Sequence, residues 1–178
     1  DVTLLVHNNG VYGLTKGQAS PTAREGMATN SQPEGVIAAA FNPLAAALAL
    51  GAGFVARGFA GEPEHLKDLL VAAVRHRGLS YIDVIQPCIT WGTRPFSWYK
   101  ERICRLDDAY DPADQEQALK KTMEWSEKIP IGVLYKTAER EVFGHRFRDV
   151  VDQRPLPELD PIDAEEIKSL LQGYRSAE

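Results

Sequence analysis

The chain opens on an apolar run, Val2-Thr3-Leu4-Leu5-Val6, which reads as a buried parallel strand that needs neighbours on both sides. His7-Asn8-Asn9-Gly10 follows with turn chemistry. Residues 10–35 then hold five Gly and two Pro among Ser, Thr and Asn. The periodicity lapses there into a long loop with few apolar anchors, of the kind that is usually functional or disordered. It resumes at Phe41-Asn42-Pro43, a helix start with Asn42 as N-cap and Pro43 in the first turn. Leu44, Leu48, Leu50 and Val55, set among small residues, extend that helix to about Ala56. Residues 58–62 break the pattern. Pro63 and Glu64 open a second helix with Leu66, Leu69, Leu70, Ala73 and Val74 on one face, ended by Gly78. Tyr81-Ile82-Asp83-Val84-Ile85 is the next strand and runs into Gln86-Pro87-Cys88. Residues 89–111 read as irregular and aromatic-rich. A third helix is predicted over residues 112–128, a strand over Ile131-Gly132-Val133-Leu134-Tyr135, and a last helix over residues 162–173 after a Pro-rich stretch at 153–161. Strands alternating with helices predict an α/β fold, a parallel sheet flanked by helices. Residues 1–150 form its body, and residues 151–178 form a linker and C-terminal helix.

Composition narrows the class. A chain of 178 residues with 44% hydrophobic content suits one domain with a full core. The net charge of −5 offers no basic footprint, so no nucleic-acid partner is expected. Two cysteines, Cys88 and Cys104, cannot build a disulfide framework. The longest apolar candidate, residues 44–55, is too short to span a membrane. No signal peptide is visible at the start, and the expected location is the cytoplasm.

In an open α/β sheet, ligands bind where loops leave the carboxyl ends of strands. Two such loops stand out, after Val6 and after Ile85. In the first, an Asn at a strand end can offer an amide oxygen to a hard cation, and a carbonyl two residues on can offer another. Gly10 and Gly13 let the backbone turn sharply around such a site. The same Asn-Gly pair is also an ordinary turn signal. Lys16 is a candidate partner for a carboxylate, or else a solvated loop lysine. In the second loop Cys88 is a thiolate ligand or a small buried hydrophobe. Cys104 reads as a core thiol. His7, His65, His76 and His145 show no metal spacing, and His65 and His76 are expected in solvent. The aromatics between residues 91 and 99 could line a substrate or partner surface, but each alone reads as core.

The string Asn8-Asn9-Gly10-Val11-Tyr12-Gly13-Leu14-Thr15-Lys16-Gly17-Gln18-Ala19-Ser20-Pro21-Thr22 resembles the second half of the thiamine-diphosphate motif. Its extension resembles, in particular, the beta subunit of 2-oxoacid:ferredoxin oxidoreductases. The likeness continues through Phe41-Asn42-Pro43-Leu44-Ala45, Phe54-Val55-Ala56-Arg57-Gly58, Ile82-Asp83-Val84 with Pro87-Cys88, Trp98-Tyr99-Lys100-Glu101-Arg102 and Ile129-Pro130-Ile131-Gly132-Val133, and so covers residues 2 to about 147. Gln86 and Trp91-Gly92 depart from the commoner Ser and Phe-Asn.

The resemblance implies a pyrophosphate-type domain that binds thiamine diphosphate and Mg2+. Asn9 would be the side-chain magnesium ligand and Val11 the carbonyl ligand. Gly10, Tyr12, Gly13 and Thr15 would lie along the cofactor, with Leu14 and Lys16 near the 2-oxoacid. Cys88 would be the fourth cysteine of a 4Fe-4S cluster. The implied activity is oxidative decarboxylation of a 2-oxoacid such as pyruvate or 2-oxoglutarate, with coenzyme A taking the acyl group and ferredoxin the electrons, completed by an alpha subunit. The family's Gly-Asp-Gly element and three further cysteines do not occur in this sequence. The expectation is therefore a chain lacking the N-terminal part of its domain and inactive by itself. Two alternatives stay open: a ferredoxin-independent thiamine-diphosphate decarboxylase, and a non-catalytic assembly domain.

Overall fold

The computed structural model describes residues 1–137 and 163–175. Its first unit, Asp1–Val142, is built on a five-stranded sheet in the order β1-β5-β4-β7-β6. The strands are β1 (Val2–Asn8), β4 (Phe54–Phe59), β5 (Leu79–Ile85), β6 (Ile103–Arg105) and β7 (Ile129–Lys136), and a small hairpin pairs β2 (Val11–Tyr12) with β3 (Gln18–Ala19). The helices are α1 (Pro43–Ala49), α2 (Pro63–Arg75), α3 (Phe96–Arg102) and α4 (Gln115–Met123). In the second unit, α5 (Ala164–Arg175) starts where the Asp163 side chain accepts from the Glu165 and Glu166 amides, each at 2.8 Å. The Pro-rich stretch at 153–161 lies outside the described residues.

Strands β1, β5 and β4 are mutually parallel, as the alternation of elements predicts. β7 runs antiparallel to β4, so the sheet is mixed. β1 is an edge strand, bordered by β5 alone among the described residues, with Val2, Leu4 and Leu5 exposed. An apolar run states what its side chains require, not which neighbours the chain supplies. The first helix stops at Ala49, and Phe54–Phe59 enters the sheet instead. A parallel strand covered on both faces has no polar alternation to separate it from a small-residue helix. Residues 89–111 hold α3 and β6, and α4 is shorter than the predicted 112–128.

Alternation across the sheet sorts its residues into two layers. Phe54, Ala56, Ile82 and Val84 pack against Leu69 and Ala73 of α2. Val55 packs on the other face with Leu44 and Leu48 of α1, Ala118 of α4 and Leu134. His76, expected in solvent, is buried with its ring 5.7 Å from that of Phe54. Asn42 caps α1 as predicted, its Oδ1 accepting from Ala45 N at 3.1 Å. The same side chain donates to Thr122 O at 3.1 Å and so ties α1 to the end of α4. The long loop makes its own small core, with Ala23, Met27 and Val36 buried against Val11.

Two charges sit inside the apolar central strands. Arg57 and Asp83 are opposite each other in the β4–β5 register, and both are buried. Arg57 donates to Thr122 O at 2.8 Å and Pro130 O at 3.3 Å, with its guanidinium 5.2 Å from the centre of the Trp125 ring. Burial pushes its pKa down to about 10 against the pull of Asp83. Asp83 accepts from Asn8 Nδ2 at 3.4 Å, while its Oδ1 has no hydrogen-bond partner among the described residues. Burial raises its carboxyl above the ordinary range, and Arg57 and Asn8 offset this in part.

Phe54 is 0% exposed and Leu14 is 99% exposed. Phe54→Ala should therefore cost about 3–5 kcal/mol in denaturant unfolding, whereas Leu14→Ala should leave the midpoint unchanged. Asp83 generates a pH-dependent prediction. Its folded pKa is raised, so its contribution to stability is full below the ordinary carboxylate range and is lost as pH rises through the raised value. Asp83→Asn keeps the uncharged shape at every pH. Its stability relative to the parent should therefore climb from about pH 4 towards neutrality. A difference that stays constant across that range would contradict the assignment.

Candidate cofactor site at the strand ends

The parallel strands β1, β5 and β4 deliver their carboxyl ends to one edge of the sheet. Asn8 lies opposite Ile85 in the register, and the Gln86 amide donates to the Asn8 carbonyl at 2.9 Å. The two loops singled out in the sequence therefore leave from adjacent positions.

The first loop is held by its own polar groups. Asn9 Oδ1 accepts from the Val11 amide at 3.1 Å, a local turn that leaves the amide oxygen a second lone pair. Asn8 is locked on both sides, accepting from Thr22 Oγ1 at 2.7 Å and donating to Asp83. Val11 is buried, and Cys88 packs against its cluster. The next residues form the β2–β3 hairpin, in which Tyr12 faces Gln18. Lys16 N donates to Gly13 O at 3.1 Å, Gly17 N to Tyr12 O at 3.0 Å and the Thr15 hydroxyl to Tyr12 O at 3.3 Å. Lys16 adopts φ +70°, which costs a non-glycine residue roughly 1–2 kcal/mol. Gly17, at φ +92°, has its α-carbon against Trp91; a β-carbon there would lie 3.1 Å from Trp91 Cβ. The hairpin thus rests on the Cys88 loop.

In that second loop, Cys88 Sγ accepts from the Trp91 amide at 3.3 Å, and the Cys88 carbonyl accepts from the Gly92 amide at 2.9 Å. Cys88 is half-buried and free. Cys104, expected in the core, is half-buried on β6 beside a surface cleft near Tyr110 and Lys128.

Two cavities open at this edge and share Asn8, Thr22, Arg24 and Trp125. The smaller, about 50 Å³, is lined by Asn9, Gly10 and Val11 together with Arg24, Arg94 and Tyr99. The larger, about 250 Å³, reaches Phe41 and Asn42, with Arg57 and Asp83 in its wall. Burial lowers the Arg94 pKa, and the Arg24 charge lowers it further. The Tyr99 hydroxyl is raised by burial against the pull of both arginines.

The fold thus gathers Asn9, Gly10 and Val11, with Cys88 close behind. Tyr12 and Gly13 start the hairpin, and Leu14, Thr15 and Lys16 stand exposed at its tip, away from both cavities. Sequence reasoning gave no role to Thr22, Arg24, Arg57, Asp83 or Arg94. An Arg and an Asp inside apolar strands were the available signal for two of them. Among the described residues no group of three or more His, Cys, Asp or Glu could hold a metal ion. The local donors are amide and carbonyl oxygens, which suit a hard cation that keeps phosphate and water among its ligands. Among the described residues, no helix is long and apolar enough to cross a membrane.

Comparison with known proteins identifies relatives along most of the chain. Residues 1–84 match the model of the thiamine pyrophosphate enzyme C-terminal TPP-binding domain, and residues 88–152 match the model of the C-terminal part of the pyruvate ferredoxin oxidoreductase beta subunit. The beta subunit of 2-oxoacid:ferredoxin oxidoreductase 1 from Aeropyrum pernix is 40% identical over 181 residues, covering 93% of this chain and 57% of the relative. The corresponding subunit from Saccharolobus solfataricus is 43% identical, covering 76% of this chain and 48% of the relative. A 2-oxoglutarate:ferredoxin oxidoreductase from Magnetococcus marinus, solved with 2-oxoglutarate, coenzyme A and succinyl-CoA bound, superposes with a TM-score of 0.81 at 30% identity, over 94% of this chain and 57% of that one. The chain spans about half the length of the curated relatives it matches. It belongs to the family of 2-oxoacid:ferredoxin oxidoreductase beta subunits.

Proposed function

We propose that this chain supplies the cofactor-holding part of a cytoplasmic enzyme that oxidatively decarboxylates a 2-oxoacid to its acyl-CoA and passes the electrons through a 4Fe-4S cluster to ferredoxin. The observation that carries the reading is the pairing of β1 with β5, which sets the Asn9 turn beside the Pro87-Cys88 turn. Residues 1–150 would be the C-terminal part of the thiamine-diphosphate-binding domain, and residues 151–178 a linker and terminal helix. Among the described residues the outer edge of β1 is unpaired and Leu4 and Leu5 are exposed, which suits pairing with a further segment that carries Gly-Asp-Gly.

Asn9 Oδ1 and the Val11 carbonyl would hold magnesium, which would bind the diphosphate. Gly10, Tyr12 and Gly13 would shape the turn along the cofactor, whereas Thr15 stands at the exposed hairpin tip and would reach a cofactor only if the tip closes. Thiamine diphosphate, when bound, supplies the electron sink for loss of carbon dioxide. The residues of this chain position and shield the reaction. Asn8, pinned by Thr22 and Asp83, fixes the approach to Asn9. The hairpin tip offers Leu14 and Lys16 for closure by an alpha subunit, with Lys16 a point charge for the 2-oxoacid carboxylate. Cys88 would provide one of four thiolates. Its sulfur already accepts a backbone N–H, the kind of hydrogen bond that tunes such clusters, and this favours the ferredoxin-linked reading over a simple decarboxylase.

In the complete enzyme, Asn9→Ala should weaken thiamine-diphosphate binding with magnesium at least tenfold by calorimetric titration. Unchanged affinity would remove Asn9 from the site. Cys88→Ala should lose iron and visible cluster absorption, while Cys104→Ala keeps both. A Cys88→Ala enzyme with a full iron count would end the ligand assignment.

A further inference from the structure

Two guanidiniums converge on the strand-end cavity without a carboxylate between them. Arg24 leaves the long loop just after Thr22, and Arg94 leaves the segment before α3; both line the cavity that holds Asn9 and Val11. Arg94 is held in place by Trp98, its guanidinium 3.6 Å from the ring centroid, with Arg102 at 4.4 Å from the same ring. Burial and the Arg24 charge act most strongly on Arg94, Tyr99 offsets them in part, and Arg102 adds a second like charge. Neither Arg24 nor Arg94 forms an ion pair among the described residues. Arg102 has its own partner in Glu101, at 3.4 Å. Like charges gathered in a cleft beside Tyr99 and the Asn9 turn cost free energy unless an anion joins them. A planar guanidinium matches a carboxylate or phosphate through paired N–H donors.

We propose that Arg24 and Arg94 form an anion subsite for a carboxylate or phosphate carried by a substrate of this enzyme. The proposal rests on the function given above, and it goes further in locating a group that selects the substrate. Two sources share that chemistry: the distal carboxylate of a dicarboxylic 2-oxoacid, and the phosphates of coenzyme A. The diphosphate of a cofactor held at Asn9 is the competing anion for the same guanidiniums, and thiamine-diphosphate affinity measured in the same variants separates it from a substrate group.

The test uses the complete enzyme with Arg24→Gln, Arg94→Gln and Arg94→Lys, assayed by viologen reduction. The substrate pairs are 2-oxoglutarate against 2-oxobutyrate, and coenzyme A against pantetheine, which has no phosphate. A rise of about tenfold or more in KM for 2-oxoglutarate alone, in both Gln variants, assigns the subsite to the carboxylate. The same rise for coenzyme A alone assigns it to phosphate. Arg94→Lys, which keeps the charge, should recover part of either loss. Tryptophan emission gives a readout independent of turnover, because Trp98 lies on Arg94. Titration with glutarate or tripolyphosphate should perturb it in the parent and not in Arg94→Gln. KM values within twofold for all four substrates, with no emission change in the parent, overturn the proposal. So does an equal loss for all four substrates that follows weaker thiamine-diphosphate binding. Arginine-dependent anion binding by an enzyme that turns over no 2-oxoacid would retain the subsite and remove the proposed function instead.

Discussion

The site depends on the register of β1 against β5. Seven residues of β1 pair in parallel, from Val2 opposite Leu79 to Asn8 opposite Ile85. A strand alternates its side chains with period two, so a slip of one residue would turn Asn8 away from Asp83 and Thr22. It would also shift the Asn9–Val11 turn as a unit relative to the Cys88 loop that packs against it. The register is fixed at one end by Val2 N donating to Gly78 O and at the other by Gln86 N donating to Asn8 O, each at 2.9 Å. Every further feature of the cleft is placed relative to that pairing.

Buried charge links the site to the rest of the sheet. Arg57 gathers carbonyls from the end of α4 and the start of β7, two segments that do not bond each other along the ladder. Unsatisfied carbonyls buried there would each cost of the order of 1–3 kcal/mol, and one long side chain meets several of them. Asp83, opposite Arg57, holds Asn8 and through it Thr22. The order of the loop at the strand end is thus set from below by the central strands.

How far the sequence could be read follows from the range of each interaction. Asn42 announces its cap because capping is local chemistry, satisfied by Ala45 three residues on. The apolar face of α2 and the strand at Tyr81–Ile85 are legible for the same reason. β4 was not, since Phe54-Val55-Ala56-Arg57-Gly58-Phe59 is buried on both faces and its small residues suit a helix equally well. The burial of His76 and the reversal of β7 depend on contacts made across the fold. At the proposed site, the motifs single out Asn9, Val11 and Cys88, and the structure brings their loops together. Arg24 and Arg94 lie 70 positions apart in segments without periodicity, and only folding places them on one cavity.

The central claim is that the turns after β1 and β5 form one cofactor site, with Asn9 and Val11 as its metal-binding half. The most direct measurement is anomalous diffraction from the complete enzyme crystallised with thiamine diphosphate and manganese in place of magnesium. The expected result is a manganese peak within bonding distance of both Asn9 Oδ1 and the Val11 carbonyl oxygen. A peak that bonds neither atom, with the cofactor bound elsewhere, would contradict it.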